Sequence, residues 1–247
     1  MAKQSGIGSA LWWGSVDLSG DVGAISTLET SRGTLDVTGI DKDAPERIVA
    51  RRDGSIGFTS FWNKATGASV LTLSPLVRTD VQVSVAVGTP AVGSVAGSLI
   101  AKQTTYSPAF GTDGSLVANV TCSANGYPLE WGELLTTGKQ TFASGTVNGT
   151  SIDLGAVSTA FGCAAYLHVF SLGSGDPQIE VTDSAANSTF LTLAPTAILF
   201  TPTAAGVERK ATGLTATIRR YVRVTVSGTY TDLVCALVFV RYTESAA

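Results

Sequence analysis

The side chains able to do chemistry are few and scattered. Nucleophilic catalysis needs a thiol or hydroxyl beside a base that a third group orients. The chain has one histidine, His168, in 247 residues, and three cysteines, Cys122, Cys163 and Cys235. His168 sits in the stretch AAYLHVF, where Tyr166 and Phe170 fall on its face at strand spacing. That pattern reads as a histidine packed among aromatics, and the chain as a protein that is not an enzyme. The cysteines are odd in number, widely spaced and without a Cys-x-x-Cys pair, which favours reduced, buried thiols over a disulfide or zinc site. Asp41 and Asp43 offer two carboxylates, but no calcium-loop glycine and closing glutamate follow at the required spacing. Gly6-Ile7-Gly8 is half a dinucleotide fingerprint with no strand before it and no third glycine in place. No cofactor and no metal are expected.

The remaining singular residues suit contact better than catalysis. Gly39–Arg52 is the most charged segment and mixes both signs: Asp41, Lys42, Asp43, Glu46, Arg47, Arg51 and Arg52 fall within fourteen positions. Mixed signs argue against a nucleic-acid stripe and leave a solvated loop or one that salt-bridges to a neighbouring subunit. Trp12 and Trp13 either tuck into the subunit's own core or form an arm that docks on the next subunit. The candidate subunit-contact residues are Trp12, Trp13, Asp41, Asp43, Glu46, Arg47, Arg51 and Arg52.

The elements that must position these residues are strands. Asp80–Val87 and Ser115–Cys122 alternate apolar and polar, and Thr34–Val37 and Ser55–Trp62 are further strands. Asp53-Gly54 and Asp113-Gly114 read as hairpin turns. A short helix is expected between Trp62 and Arg78, stopped by Pro75. Downstream, strands are predicted at Cys163–Phe170, Gln178–Thr182, Thr189–Leu193, Ile198–Thr201, Ile218–Val226 and Leu233–Tyr242. Turns are predicted at Gly173–Pro177, Ser184–Asn187 and Ser227–Gly228. In Arg219–Val226, Val222, Val224 and Val226 point inward; the last strand is apolar on both faces and should be central. The Gly/Ser/Thr-rich stretch TTGKQTFASGTVNGT reads as a linker. The expected class is all-β with minor α. It has an N-terminal β-sandwich or barrel domain with a short helix (1–135), a linker (136–150) and a C-terminal antiparallel β-sandwich (151–247).

Composition points toward assembly. Charged residues are 14% of the chain against roughly 25% in an average soluble domain, while apolar residues are 44%. No apolar run reaches the roughly 18 residues of a membrane helix, so the surplus apolar surface is expected to meet partner subunits. The amino terminus, with the single basic Lys3 and a glycine-interrupted apolar patch, does not read as a secretion signal, so synthesis in the cytosol is expected. Residues 1–135 hold 9 Lys+Arg against 12 Asp+Glu, and residues 136–247 hold 7 of each. Neither half offers the basic footprint of tight nucleic-acid binding.

Three ordered stretches resemble the major tail protein, or tail tube protein, of siphovirus-type bacteriophages of Actinobacteria. They are Leu35–Trp62 (LDVTGIDKDAPERIVARRDGSIGFTSFW), Leu99–Glu133, and the C-terminal ATIRRYVRVTVSGTYTDLVCALVFVRY, with the Gln178–Phe190 region between. The resemblance implies a tail-tube-like first domain and a second, outer decoration domain. It implies homo-oligomeric hexameric rings stacked into a tube, partnered by tape measure and tail terminator proteins. Double-stranded DNA would transit the lumen without specific binding. The protein would reside in the virion tail after synthesis in the bacterial host cytoplasm. Rival readings are a capsid decoration or head–tail joining protein, and a host-surface carbohydrate-binding module for which Tyr221, Tyr230 and Tyr242 are candidates.

Overall fold

The computed structural model describes residues 5–155 and 160–243; Lys3 lies outside them. The chain is all-β with one short helix. In chain order the elements are β1 (Ala10–Trp13), β2 (Val16–Asp17), β3 (Val22–Asp36), β4 (Arg47–Phe61), α1 (Ser69–Leu73), β5 (Val81–Ala86), β6 (Val95–Phe110), β7 (Leu116–Ala124) and β8 (Glu130–Leu134). There follow β9 (Gln140–Phe142), β10 (Val147–Asn148), β11 (Ile152–Asp153), β12 (Cys163–Ser171), β13 (Ser174–Ser184), β14 (Leu191–Thr192), β15 (Ile198–Phe200), β16 (Gly206–Ala211), β17 (Tyr221–Thr231) and β18 (Leu233–Arg241).

The chain divides into two compact units, neither continuous in sequence. The first takes the chain up to Gly20, Gln82–Ser98, and everything from Trp131 onward; the second takes Asp21–Val81 and Leu99–Glu130. This corrects the expected split at residues 136–150. That stretch is no linker: β9 pairs with Leu233–Cys235 of β18, and β10 pairs with Thr225–Val226 of β17. Its glycines and threonines serve short edge strands, a use that composition alone does not separate from a flexible tether.

The first unit is a sandwich. One sheet runs β16-β12-β18-β8-β6-β5-β1-β2, with β9 also on β18; the other runs β10-β17-β13-β14, with β11 on β17 and β15 on β13. Period-2 alternation puts Val222, Val224 and Val226 inward, where they meet Leu167, Leu237 and Phe239 of the facing sheet. β18 is buried along most of its length, as its two-sided apolar sequence demands. The Ser227-Gly228 pair, expected as a turn, lies inside β17: Gly228 pairs with Pro177. A Cβ there would lie 2.5 Å from the Asp176 carbonyl, so the glycine answers a close backbone approach rather than a reversal. The Gly173–Pro177 turn likewise gives way to the opening residues of β13.

The second unit is a sheet of order β3-β4-β7-β6 with α1 tied to it. Ile56, Phe58, Val120 and Cys122 are buried on one side of the strands, as are Val70 and Leu73 of the helix. The helix is short because Gly67 precedes it and Pro75 follows. Its N-cap Ala68 supplies no side-chain bond. Asp21 supplies one instead, accepting from Ser69 N at 2.9 Å and from Asn63 Nδ2 at 2.8 Å. Such a carboxylate satisfies an orphan donor of the first turn. The expected Asp53-Gly54 turn sits in mid-strand: a Cβ on Gly54 would lie 2.5 Å from the backbone nitrogen of Leu129. Asp113-Gly114 is a true reversal between β6 and β7, with Gly114 at φ +84.

Candidate functional site: the β3–β4 arm

The histidine and the three cysteines are all buried. His168 is wholly buried, with Nδ1 2.7 Å from the Gly14 carbonyl and Nε2 2.8 Å from Ser84 Oγ, which in turn lies 2.7 Å from Ser98 Oγ. Nδ1 therefore carries the proton, and Nε2 accepts from the hydroxyl pair. Burial pushes the imidazole down to about 4. Burial pushes the thiols of Cys122, Cys163 and Cys235 up to about 12, which leaves them unreactive. Among the described residues no cluster of three or more His, Cys, Asp or Glu could hold a metal ion. No helix among them is long and apolar enough to cross a membrane.

Trp12 and Trp13 belong to this buried set and are not a docking arm. They are 1% and 3% exposed, because β1 pairs with β5 (Trp12 opposite Ser84, Trp13 opposite Val83) and is held as a sheet strand. Trp12 packs on His168 and Phe170 at ring separations of 5.7 and 6.1 Å. Tyr230 is buried too, donating to the Gly145 carbonyl, while the Tyr242 hydroxyl accepts from Arg209 and Tyr221 lies under Arg220.

The charged candidates lie on the outer half of the β3–β4 hairpin. Arg47, Arg51 and Arg52, expected in a loop, are β4 strand residues; Asp41, Asp43 and Glu46 belong to the connection at the tip. The tip is ordered by local bonds. Asp36 Oδ1 accepts from Thr38 N and Oγ1, which holds its carboxyl below the usual range, and Val37 N donates to the Glu46 carbonyl at 2.9 Å. Lys42 and Glu46 form an exposed ion pair at 3.5 Å. Ser55–Phe61 of β4 also pairs with β7, but among the described residues Arg47–Gly54 pairs only with β3, so there the arm is two strands wide from Gly54 outward.

The arm carries apolar surface that its own fold leaves uncovered. Leu35 and Ile48 are cross-strand partners and are 62% and 57% exposed; Val37, Ile40 and Val49 are exposed beside them. Arg32 stands opposite Arg52, a like-charge pair that is unfavourable in isolation, and neither forms an ion pair with a described residue. Among the described residues the outer edge of β3 has no strand partner. Other edges are blunted: β16 carries Glu208, Arg209 and Lys210, β2 has two residues, and the outer part of β6 has Pro108. β3 has three bulges but neither lysine nor proline. One face of the same sheet carries hydroxyls and amides, with Thr59 opposite Asn119, Ser55 opposite Ser123, and Ser107 and Thr105 on β6 opposite Asn119 and Thr121, and also Lys102, opposite Ser123 and ion-paired with Asp80 at 2.8 Å.

Of the expected contact residues, the structure brings Asp41, Asp43, Glu46, Arg47, Arg51 and Arg52 onto one arm and removes the tryptophans to a core. The exposed Leu35–Ile48 pair was missed in the sequence. Its signal was present as apolar residues flanking the charge cluster, but such residues on a strand usually face a core.

No known protein family matches the chain, and no curated protein does. Among solved structures, the chain is similar to one titled "Crystal Structure of SPP1 Dit (gp 19.1) Protein, a Paradigm of Hub Adsorption Apparatus in Gram-positive Infecting Phages". The identity is 12%, over 95% of this chain and 99% of that one, with a TM-score of 0.34. A similarity that low assigns neither fold nor role to this chain.

Proposed function

We propose that this protein is a non-catalytic structural subunit that assembles with copies of itself into the tube of a phage tail. The carrying observation is the two-stranded arm. A lone hairpin is marginal in water, and one that exposes Leu35, Ile48 and Val49 beside an open edge strand exists most stably when covered. The sequence resemblance to major tail proteins supplies the kind of assembly: hexameric rings, stacked and closed by rotation. Tape measure and tail terminator proteins would bound it. In that tube the hydroxyl- and amide-lined face of the β3-β4-β7-β6 sheet fronts the bore. Duplex DNA carries about one charge per 1.7 Å of axis, so neutral hydroxyls let it slide, and Lys102 on the same face is ion-paired with Asp80.

The test is negative-stain electron microscopy with light scattering on the full chain across a concentration series. Rings or hollow, axially striated tubes are the expected result. A chain that stays monomeric at every concentration, with and without the tail's nucleating complex, overturns the tube reading and leaves a decoration or binding role.

A further inference from the structure

The chain has two Asn-Gly pairs, Asn125-Gly126 and Asn148-Gly149, and the fold treats them differently. Asn148 ends β10, where it stands opposite Thr225 of β17. Gly149 N is engaged by the Val224 carbonyl at 2.8 Å, and Asn148 Oδ1 accepts from Thr225 Oγ1 at 3.1 Å. A Cβ on Gly149 would lie 2.8 Å from Val224 Cγ1, so the backbone there is tightly enclosed. Asn125-Gly126 instead leaves the end of β7 for an exposed bend. Asn125 N donates to the Ile100 carbonyl at 2.8 Å, but among the described residues Gly126 N has no acceptor. Gly126 lies at φ +81, with open space around the position of a Cβ. The Asn125 carboxamide donates from Nδ2 to Asp80 Oδ1 at 2.8 Å, and Lys102 Nζ lies 2.8 Å from the same oxygen.

We propose that Asn125 is a site of self-modification, at which the folded chain converts the carboxamide to a carboxylate through a cyclic imide, while Asn148 is protected. Gly126 N loses its proton to solvent base and attacks Asn125 Cγ. The N–Cγ bond forms, the Cγ–Nδ2 bond breaks, and Nδ2 takes a proton from water and leaves as ammonia. A water molecule then opens the imide at either carbonyl and gives aspartate or isoaspartate, so the net change is one water consumed and one ammonia released. The attack needs a backbone nitrogen outside the hydrogen-bond ladder and a following residue with no Cβ in the way. Gly126 offers both, and Gly149 only the second. The bond to Asp80 engages the nitrogen that leaves and not the carbon that is attacked. The product changes the surface: a donor to Asp80 becomes a second carboxylate beside it, both share Lys102, and the net charge moves one unit below −3. The site lies within the second unit and does not rest on the tube reading.

The test is peptide mapping by mass spectrometry on the full chain, incubated in mildly alkaline buffer both folded and in urea, with aspartate and isoaspartate scored at each position. In the folded chain, conversion at Asn125 should run at least about tenfold faster than at Asn148. In urea the two pairs should convert at comparable rates, because the difference lies in the fold and not in the dipeptide. Asn125→Gln keeps a donor to Asp80 but lengthens the ring to be closed, and it should remove most of the acidic species that ion exchange separates from fresh protein. Equal rates at the two positions in the folded chain overturn the proposal, as does an Asn125 that stays intact there while the unfolded chain converts. A tenfold difference that persists in urea, or an acidic species undiminished in Asn125→Gln, overturns it as well. None of these outcomes bears on whether the chain forms tubes.

Discussion

His168 joins β12 to two other parts of its unit through the Gly14 carbonyl and the Ser84 hydroxyl, and complete burial favours its neutral imidazole. Its folded value of about 4 lies below the ordinary 6.5. The unfolded chain therefore binds the proton first as pH falls. The stability this group contributes is complete above about pH 6.5, declines between 6.5 and 4, and is lost below, a total of order 3 kcal/mol. Asp36, Asp80, Asp113 and Asp153 are lowered by their bonds and lose stability only in more acid solution. Asp183 and Glu133, raised by burial, act in the opposite sense. Urea unfolding at pH 7, 6, 5 and 4.5 should show stability falling over this window, and the slope should flatten in His168→Gln. A parent and variant with parallel pH profiles would assign the slope elsewhere. The role of His168 as packing was readable from its aromatic neighbours at 166 and 170. Its partners were not, because Gly14 and Ser84 lie more than eighty residues away in the chain. Glycines behave similarly. Asp53-Gly54 and Asp113-Gly114 are the same dipeptide, and only the distant approach of Leu129 makes the first a strand position.

At the scale of elements, strands with a buried face were legible, since alternation encodes them locally: β7, β12, β15 and β18 fall where the pattern puts them. β5 shows what alternation misses. Gln82 and Ser84 look solvent-facing, yet all six residues are buried, with Gln82 Nε2 donating to the Leu167 carbonyl and Ser84 bonding Ser98. The arm was the largest surprise, because its outer strands have no core to impose a period on them. That independence separates its stability from its purpose. Leu35→Thr with Ile48→Thr removes exposed methyls that touch little in the subunit, so the melting temperature should move by no more than about 2 °C. Reversal of Arg47 and Arg51 to Glu should be equally mild for the fold. Both double variants should nevertheless shorten or abolish tubes in electron micrographs. Tubes of parental length would remove the arm from the assembly contact, and a melting point several degrees lower would make it part of the subunit's own core.

For the whole molecule, the decisive property is that neither unit is a continuous stretch of chain. Composition suggested a cut at 136–150, and a fragment of residues 151–247 would then be a self-sufficient sandwich. The structure gives it no such independence. That fragment lacks β10, which pairs with β17, and both β8 and β9, which pair with β18. It lacks Leu135 and Phe142 from the hydrophobic core. It also strands His168, wholly buried in the intact chain, without Gly14 and Ser84. Each buried polar group left without its partner costs about 1–3 kcal/mol, and each missing large core side chain about 2–5 kcal/mol. A domain's whole stability is only about 5–15 kcal/mol. The isolated fragment should therefore fail to fold, with collapsed amide dispersion in its NMR spectrum and early proteolysis, while the full chain resists both. A well-dispersed spectrum from residues 151–247 would mean that β11–β18 close a core alone and that the earlier strands are accessory. The chain crosses between the units four times, after Gly20, Val81, Ser98 and Glu130, and at the last three the crossing falls inside β5, β6 and β8, so no single cut in the chain separates one unit from the other.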